Sequence, residues 1–347
     1  MEQIVKTNVG LDISMETYWA TITLLNSDHE IKHVKSKEFG NNEKGFKEME
    51  QWIAQAKIET KEFHFTMEAT GVYYENIANY LYEQKHLVHV VLPNKAKKFA
   101  ESLDIKSKTD KLDSKALGRF GAERKFINWK PAAPIYKELK SLTRERGSYV
   151  KIRSQLKNQR HALKHSFQPN ESTIIRLDTI ISVLDTNVKE IEKEISVTIK
   201  KDTELSAKMD ILTSIPGIGE TTAATTVAET NGFSLIVNIR QLTSYAGYDV
   251  QLRESGKWKG KSKISKKGNS HIRAALYFPA LTTIKYSEQH KTFYDRILGE
   301  KEKSKIAITA VSRKLLVLMY TLWKTNTKYQ ENYETKKAEQ KAEQKVA

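Results

Sequence analysis

The 347-residue chain contains no cysteine. That excludes disulfides, zinc ribbons and thiol nucleophiles, and it fits a reducing compartment. Acidic residues are also in short supply: 42 Asp and Glu face 58 Lys and Arg, leaving a formal net charge of +16. A surplus of that size points first to a polyanionic partner, and nucleic acid is the commonest one. No basic amphipathic helix or lipidation signal is present to support a membrane-surface role. The opening "MEQIVKTNVG" lacks the charged-then-apolar pattern of a secretory signal. The most apolar late stretch, "KIAITAVSRKLLVLMYTLW" (305–323), is interrupted by Ser312, Arg313 and Lys314, so it reads as a buried helix rather than a membrane span. These absences predict a cytoplasmic, nucleoid-associated protein with no membrane partner.

What is present is enough apolar residue, 39% of the chain, to build a core in each of two or three domains. Residues 3–39 alternate apolar and polar in short runs, the signature of strands joined by hairpins. Helical spacing follows in "EKGFKEMEQWIAQA" (43–56), then a strand in "EFHFTMEAT" (62–70), a helix in "YENIANYLYEQ" (74–84) and a strand in "LVHVVLP" (87–93). This order predicts an α/β domain with a mixed sheet over 1–130, closed by "WKPAAP". Beyond it, Leu142, Tyr149, Leu156 and Leu163 recur every seven residues, and Leu177, Ile181, Leu184, Val188, Ile191 and Ile195 alternate spacings of four and three. Two heptad-patterned helices read as an antiparallel hairpin or a pair of coiled-coil arms over 131–204, a spacer or a dimerisation arm. A mostly helical domain is expected over 205–330, and a charged, frayed or disordered tail over 331–347.

Four carboxylates stand out. Asp12 lies in an apolar strand, "VGLDIS", and Glu68 closes another, "FTMEATG". Burying such a group is costly unless it is paired or bound to a cation. Asp110 and Asp113, in "SKTDKLDSKALGRF", are three apart at the start of a helix and share one face. Taken singly, each has an ordinary explanation: Asp110 as a helix cap, Asp113 as a helix-dipole partner, Glu68 in an ion pair, Asp12 on a backbone turn. Together on a basic chain they suit magnesium, or manganese in its place, beside phosphate oxygens.

Two further stretches carry nucleic-acid signals. "LTSIPGIGETTAATTVAE" (212–229) sets Gly217 and Gly219 in a tight turn opening a helix, similar to a helix-hairpin-helix that grips DNA backbone. A plain glycine turn between packed helices is the alternative. In "YDVQLRESGKWKGKSKISKKGNSHIRAAL" (248–276), the span from Arg253 to Arg273 concentrates Arg253, Lys257, Lys259, Lys261, Lys263, Lys266, Lys267 and Arg273 against Glu254 alone, and enters a helix near Asn269. Such a loop reads as a phosphate-contacting surface. Ser255 within it is, from the residues alone, a turn serine.

"VGLDIS", "MEATGVYYENI", "KTDKLDSKAL" and the later "SGK…ISKKGN…R" resemble the DEDD transposases of bacterial insertion sequences, RNA-guided serine recombinases with a RuvC-like, ribonuclease-H-like N-terminal domain. The resemblance implies that Asp12, Glu68, Asp110 and Asp113 hold magnesium. It implies that Ser255 is the nucleophile that becomes joined to a DNA phosphate, with Ser262 and Ser265 open as alternatives in the same stretch. It further implies a structured guide RNA bridging donor and target DNA. The narrow apolar seams of the helical arm favour a homo-oligomer, a dimer or tetramer, joined through it. A metal-dependent junction nuclease using water, and a non-catalytic DNA-binding scaffold, are the rival readings.

Overall fold

The computed structural model describes residues 3–333 except Lys61, Thr70, Ile105, Lys106, Leu235, Arg253, Lys257, Lys261 and Ser262, and leaves the Lys259 side chain aside. The charged tail from 334 onward therefore lies outside the described residues. The chain divides into two compact units, Met1–Pro131 and Ala132–Ala347.

The first unit is built on a five-stranded sheet ordered β3-β2-β1-β4-β5. Its strands are β1 (Ile4–Ile13), β2 (Thr17–Asn26), β3 (Ile31–Gly40), β4 (Phe63–Glu68) and β5 (Leu87–Val91). The first three form an antiparallel meander, whereas β4 runs parallel to β1 and β5 parallel to β4. Helices α1 (Glu43–Ala54), α2 (Glu75–Glu83), α3 (Pro93–Ser102) and α4 (Asp110–Glu123) complete the unit. The first element without a sequence expectation is α3: Pro93, read as the end of a strand, instead supplies the first helical position, where its missing N–H costs nothing.

Alternation along β1 gives the sheet two different faces. Val9, Leu11 and Ile13 join Phe46, Met49 and Trp52 of α1 and Ile77 and Leu81 of α2 in one apolar core. Each fully buried side chain of this kind contributes roughly 1.5–3 kcal/mol. The intervening residues meet α4 instead, and that face is small and polar. Asn8 donates to the Gly118 carbonyl at 3.0 Å, and the Thr21 and Ser114 hydroxyls lie 2.7 Å apart. A Cβ on Gly10 would fall 2.1 Å from the Gly118 nitrogen, and one on Gly121 2.1 Å from the Thr66 hydroxyl. Helix and sheet thus touch backbone to backbone.

The second unit opens with two long helices, α5 (Pro134–Lys164) and α6 (Glu171–Lys200). The α6 seam (Leu177, Ile181, Leu184, Val188, Ile191 and Ile195) is buried, and the two helices pack along each other as an antiparallel pair. Arg146 pairs with Glu192 and Arg153 with Asp185, both at 2.7 Å, and Arg160 pairs with Asp178. These rungs recur every seven residues, as the heptad spacing requires. The roots of both helices enter a core with α7 (Thr203–Thr213), α8 (Glu220–Glu229), α9 (Ile239–Ala246), α10 (Ser270–Tyr286) and α12 (Ser304–Thr325). Between α9 and α10 run short strands β6 (Val250–Gln251), β7 (Glu254–Ser255), β8 (Trp258–Lys259) and β9 (Lys263–Ile264), and α11 (Glu288–Lys301) precedes α12. Long and apolar enough by composition to cross a membrane, α12 instead places Val311, Leu315, Leu316 and Met319 wholly inside this core.

Candidate active site

Parallel pairing of β1 with β4 brings two of the four carboxylates to one edge. The register runs from Thr7 opposite Phe63 to Leu11 opposite Met67. The next rung sets Asp12 level with Glu68, at the carboxyl ends of adjacent parallel strands, where open α/β sheets place ligands. Both belong to the face that α4 covers. That helix is capped by Thr109, whose hydroxyl accepts from the Leu112 N–H at 3.3 Å. Asp110 is therefore not needed as the cap, and both it and Asp113 lie in the first turn.

Electrostatics ties the four together. Burial, followed by repulsion from Asp113, Asp110 and Glu68, pushes the Asp12 carboxyl up to about 7, with Lys108 opposing. Nearby, the Lys111 ammonium sits 5.8 Å from the Trp19 ring centre. Among the described residues, no three acidic or imidazole side chains converge closely enough to hold a metal ion as they stand. The donor set still fits a hard divalent cation: burial first, and then repulsion from three neighbouring carboxylates, disfavours charge on Asp12, and a cation among the four would offset both.

In the second unit, Ser255 stands in the β7–β8 hairpin, opposite Trp258. Gly256, which follows the serine, takes φ +55°, a left-handed conformation that glycine adopts without strain. Ser255 is exposed and its hydroxyl has no hydrogen-bond partner among the described residues, while Trp258 is 60% exposed beside it. Ser265, the described alternative, is engaged: its hydroxyl donates to Asp249 at 2.5 Å. Ser262 lies outside the described residues.

The remaining sequence-selected positions sort into three groups. Lys263, Lys266 and Lys267 belong to the basic segment, with Lys266 in left-handed backbone at φ +53° and Lys267 exposed. Arg253, Lys257 and Lys261, and the Lys259 side chain, lie outside the described residues. The others are held by the fold itself. Asn269 caps α10, accepting from the His271 and Ile272 N–H groups, and Arg273 donates to the Ala246, Gly268 and Asn269 carbonyls. Gly217, at φ +88°, packs against α10, where a Cβ would fall 2.7 Å from the Thr283 hydroxyl. Packing accounts for that glycine, whereas a Cβ on Gly219 would meet nothing within 4 Å.

One residue at the centre of this unit escaped sequence reasoning. Glu229, at the end of α8, has a fully buried side chain that receives two bonds from Arg144 of α5, at 2.6 and 3.0 Å, and one from Asn269 at 2.7 Å. Burial alone would raise its pKa, but these donors outweigh burial and hold the carboxyl below its ordinary value. It therefore ties the helical arm to the start of α10. Its only sequence signal is a glutamate ending the small-residue helix "TTAATTVAE".

Comparison with known proteins places this arrangement. The DEDD transposase model of the IS110 group matches residues 9–168, and the model for transposases of the IS116/IS110/IS902 family matches residues 209–295. Pilin gene-inverting proteins of Moraxella bovis and Moraxella lacunata are each 29% identical over 92% of this chain and 97% of their own length. An uncharacterised 42 kDa protein of insertion element IS900 from Mycobacterium paratuberculosis is 24% identical over 50% of this chain and 43% of its own. With both models in order along it, the chain belongs to the IS110/IS116/IS902 family of insertion-sequence transposases, which makes it a DNA-recombining enzyme.

Proposed function

We propose that the protein cuts and rejoins DNA strands by two successive transesterifications through a phosphoserine at Ser255. The observation that carries the reading is the coupling of Asp12 to Asp113, Asp110 and Glu68 at one end of the sheet. A β3-β2-β1-β4-β5 mixed sheet with an acidic edge is what a ribonuclease-H-like domain requires. Asp12, Glu68, Asp110 and Asp113 would hold Mg2+, or Mn2+. Bound there, the cation supplies charge neutralisation for the phosphoryl oxygens and orients the phosphodiester.

In the first transfer the Ser255 hydroxyl attacks phosphorus and a serine–phosphate ester forms. The bond from phosphorus to one sugar oxygen breaks; that oxygen leaves with a proton, and the hydroxyl proton of Ser255 passes to solvent. In the second transfer a sugar hydroxyl from the other strand attacks the ester and releases Ser255. One phosphoester bond replaces another at each step, so no ATP is needed. Exposure of Ser255, with no hydrogen-bond partner among the described residues, supports it over Ser265, whose hydroxyl is committed to Asp249. The names of the Moraxella relatives support a rejoining enzyme over a nuclease, because inversion requires every cut to be resealed.

A structured guide RNA is the second nucleic-acid partner in this reading, and the net charge of +16 supports two polyanions at once. The protein acts as a homo-oligomer. Since the α5–α6 pair spends its apolar seam internally, the exposed Ile180, Val183 and Val197 on the outer side of α6 are the better contact surface. The test is strand cleavage of element-junction DNA with flanking RNA across a magnesium titration. Asp12→Asn and Asp113→Asn should each abolish cleavage while leaving DNA affinity within about threefold. Magnesium-independent cleavage, or full activity in both variants, would refute the assignment.

A further inference from the structure

A cleft of about 1420 Å³ lies wholly within the second unit, bounded by β6 and β9, by α11 and by α12. It is larger than the roughly 300–1,000 Å³ of an ordinary small-molecule pocket. Its floor is apolar, formed by Val250, Ile264, Ile297, Ile306 and Val317 with Phe293. Its rim is cationic. Lys263, Lys266, Lys301, Lys303, Lys305 and Arg313 line it, and none of these six has an ion-pair partner among the described residues. Arg296 and Lys314 also line it; they sit 5.4 and 4.8 Å from the centre of the Phe293 ring. Among the described residues, no Asp or Glu contributes to the lining.

Such a lining selects its occupant. Six unpaired cations repel one another, and an anionic chain relieves that repulsion. A duplex would satisfy the rim with phosphates but bring nothing to the floor, because its bases are stacked and paired inside. An unpaired strand presents both parts, phosphates for the lysines and base faces for the apolar surface, which is how single-strand sites are built. The sugar decides between the nucleic acids. Among the described residues, Thr309 and the buried Tyr248 are the hydroxyls of the lining, so little there recognises a 2′-hydroxyl.

We infer that this cleft binds single-stranded DNA, holding an unpaired segment of the substrate while recombination proceeds. The inference rests on the functional reading above. Position supports it: β6 and β9 pair through Val250 with Ile264 and Gln251 with Lys263, and the chain between them is the hairpin that carries Ser255. The cleft therefore sits at the base of the segment that presents the serine. None of α11 and α12's contribution was expected from sequence, because their cations are spread over two helices and a turn rather than gathered in a run.

The test is fluorescence anisotropy of the full-length protein with a labelled mixed-sequence single-stranded DNA, its duplex, and the RNA of the same sequence. Lys301, Lys305 and Arg313 are all exposed, so replacing the three together by alanine leaves the core intact. Three lost phosphate contacts should weaken single-strand binding about a hundredfold near 0.1 M salt and flatten its salt slope by about two. Ile306→Asp, at a floor residue 42% exposed in the first turn of α12, should weaken single-strand binding while sparing the duplex. The inference is overturned if the triple variant binds single-stranded DNA within twofold of wild type, if both variants lose duplex binding as much as single-strand binding, or if the triple variant loses as much affinity for the RNA as for the DNA. A wild type that cleaves and reseals junction DNA while these variants keep single-strand affinity would sink the cleft alone. A wild type without DNA cleavage would sink the functional reading.

Discussion

Replacing Gly10 by alanine should separate the carboxylates without touching them. The new Cβ would lie 2.1 Å from both the Gly118 nitrogen and the Ser114 carbonyl oxygen, and 2.6 Å from the Gly118 Cα. All three are backbone atoms, so no side chain can rotate away. To reach the 3.4 Å of ordinary contact, α4 must retreat by about 1.3 Å. Overpacking of this kind costs about 1–3 kcal/mol. A protein with roughly 5–15 kcal/mol of stability stays folded after that loss. The site fares worse, because α4 carries Asp110 and Asp113 while β1 carries Asp12. A displacement of about 1 Å in a catalytic constellation costs on the order of a hundredfold in rate. Cleavage of junction DNA, measured well below the melting midpoint alongside a denaturant titration, should fall about a hundredfold with a modest stability loss. Gly147→Ala is the control, since a Cβ there meets nothing within 4 Å and alanine suits the interior of α5. A Gly10→Ala protein that cleaves at the wild-type rate would refute the claim that this close approach sets the site.

Other outcomes follow from buried charge. His64 and His89 stand 3.0 Å apart, ring nitrogen to ring nitrogen, and burial lowers both to about 4. Unfolded histidines titrate near 6.5, so the unfolded chain takes up protons first as pH falls. The pair's stability is therefore complete above about pH 6.5 and is lost on the way down to about 4, on the order of 2 kcal/mol for the more buried His89. Denaturant midpoints at several pH values should show a shallower acid loss in His64→Gln, and an identical profile would count against the pairing. Arg144→Ala leaves Glu229 buried with Asn269 as its remaining side-chain donor and should cost about 3 kcal/mol, at the low end for a broken buried pair because Arg144 is half exposed. Glu229→Gln, which removes the charge and keeps the shape, should cost less in the same thermal melts; equal losses would mean that charge is not what matters there. Mixing Ser255→Ala protein with Asp12→Asn protein should restore recombination if subunits share the work, and no rescue at any mixing ratio would contradict that.

The parts legible in the sequence were those written in local periodicity. Strand alternation placed β1 to β5 within a few residues, and the heptads announced α5 and α6. The order Asp12, Glu68, Asp110 and Asp113 was visible, but its meaning rested on family resemblance, because register is a property of pairing: only the offset between β1 and β4 sets Asp12 level with Glu68. The basic segment was obvious as charge, yet sequence could not separate cations that face solvent from groups that hold the fold. Asn269 and Arg273 spend their donors on backbone and on Glu229. Gly217 answers to packing against α10. Glu229's role and the α11–α12 side of the cleft rim were invisible for one reason: residues far apart in the chain make them, and no local pattern marks either.

The central claim is that Ser255 becomes covalently joined to DNA, and a denaturing gel tests it most directly. Purified protein is incubated with labelled DNA carrying the element's junction, the flanking RNA and magnesium, then denatured. The account predicts a slow-migrating protein–DNA adduct, absent in Ser255→Ala and in Asp110→Ala and retained in Ser265→Ala. Cleaved DNA with no adduct, unchanged by Ser255→Ala, would contradict it and leave water as the nucleophile.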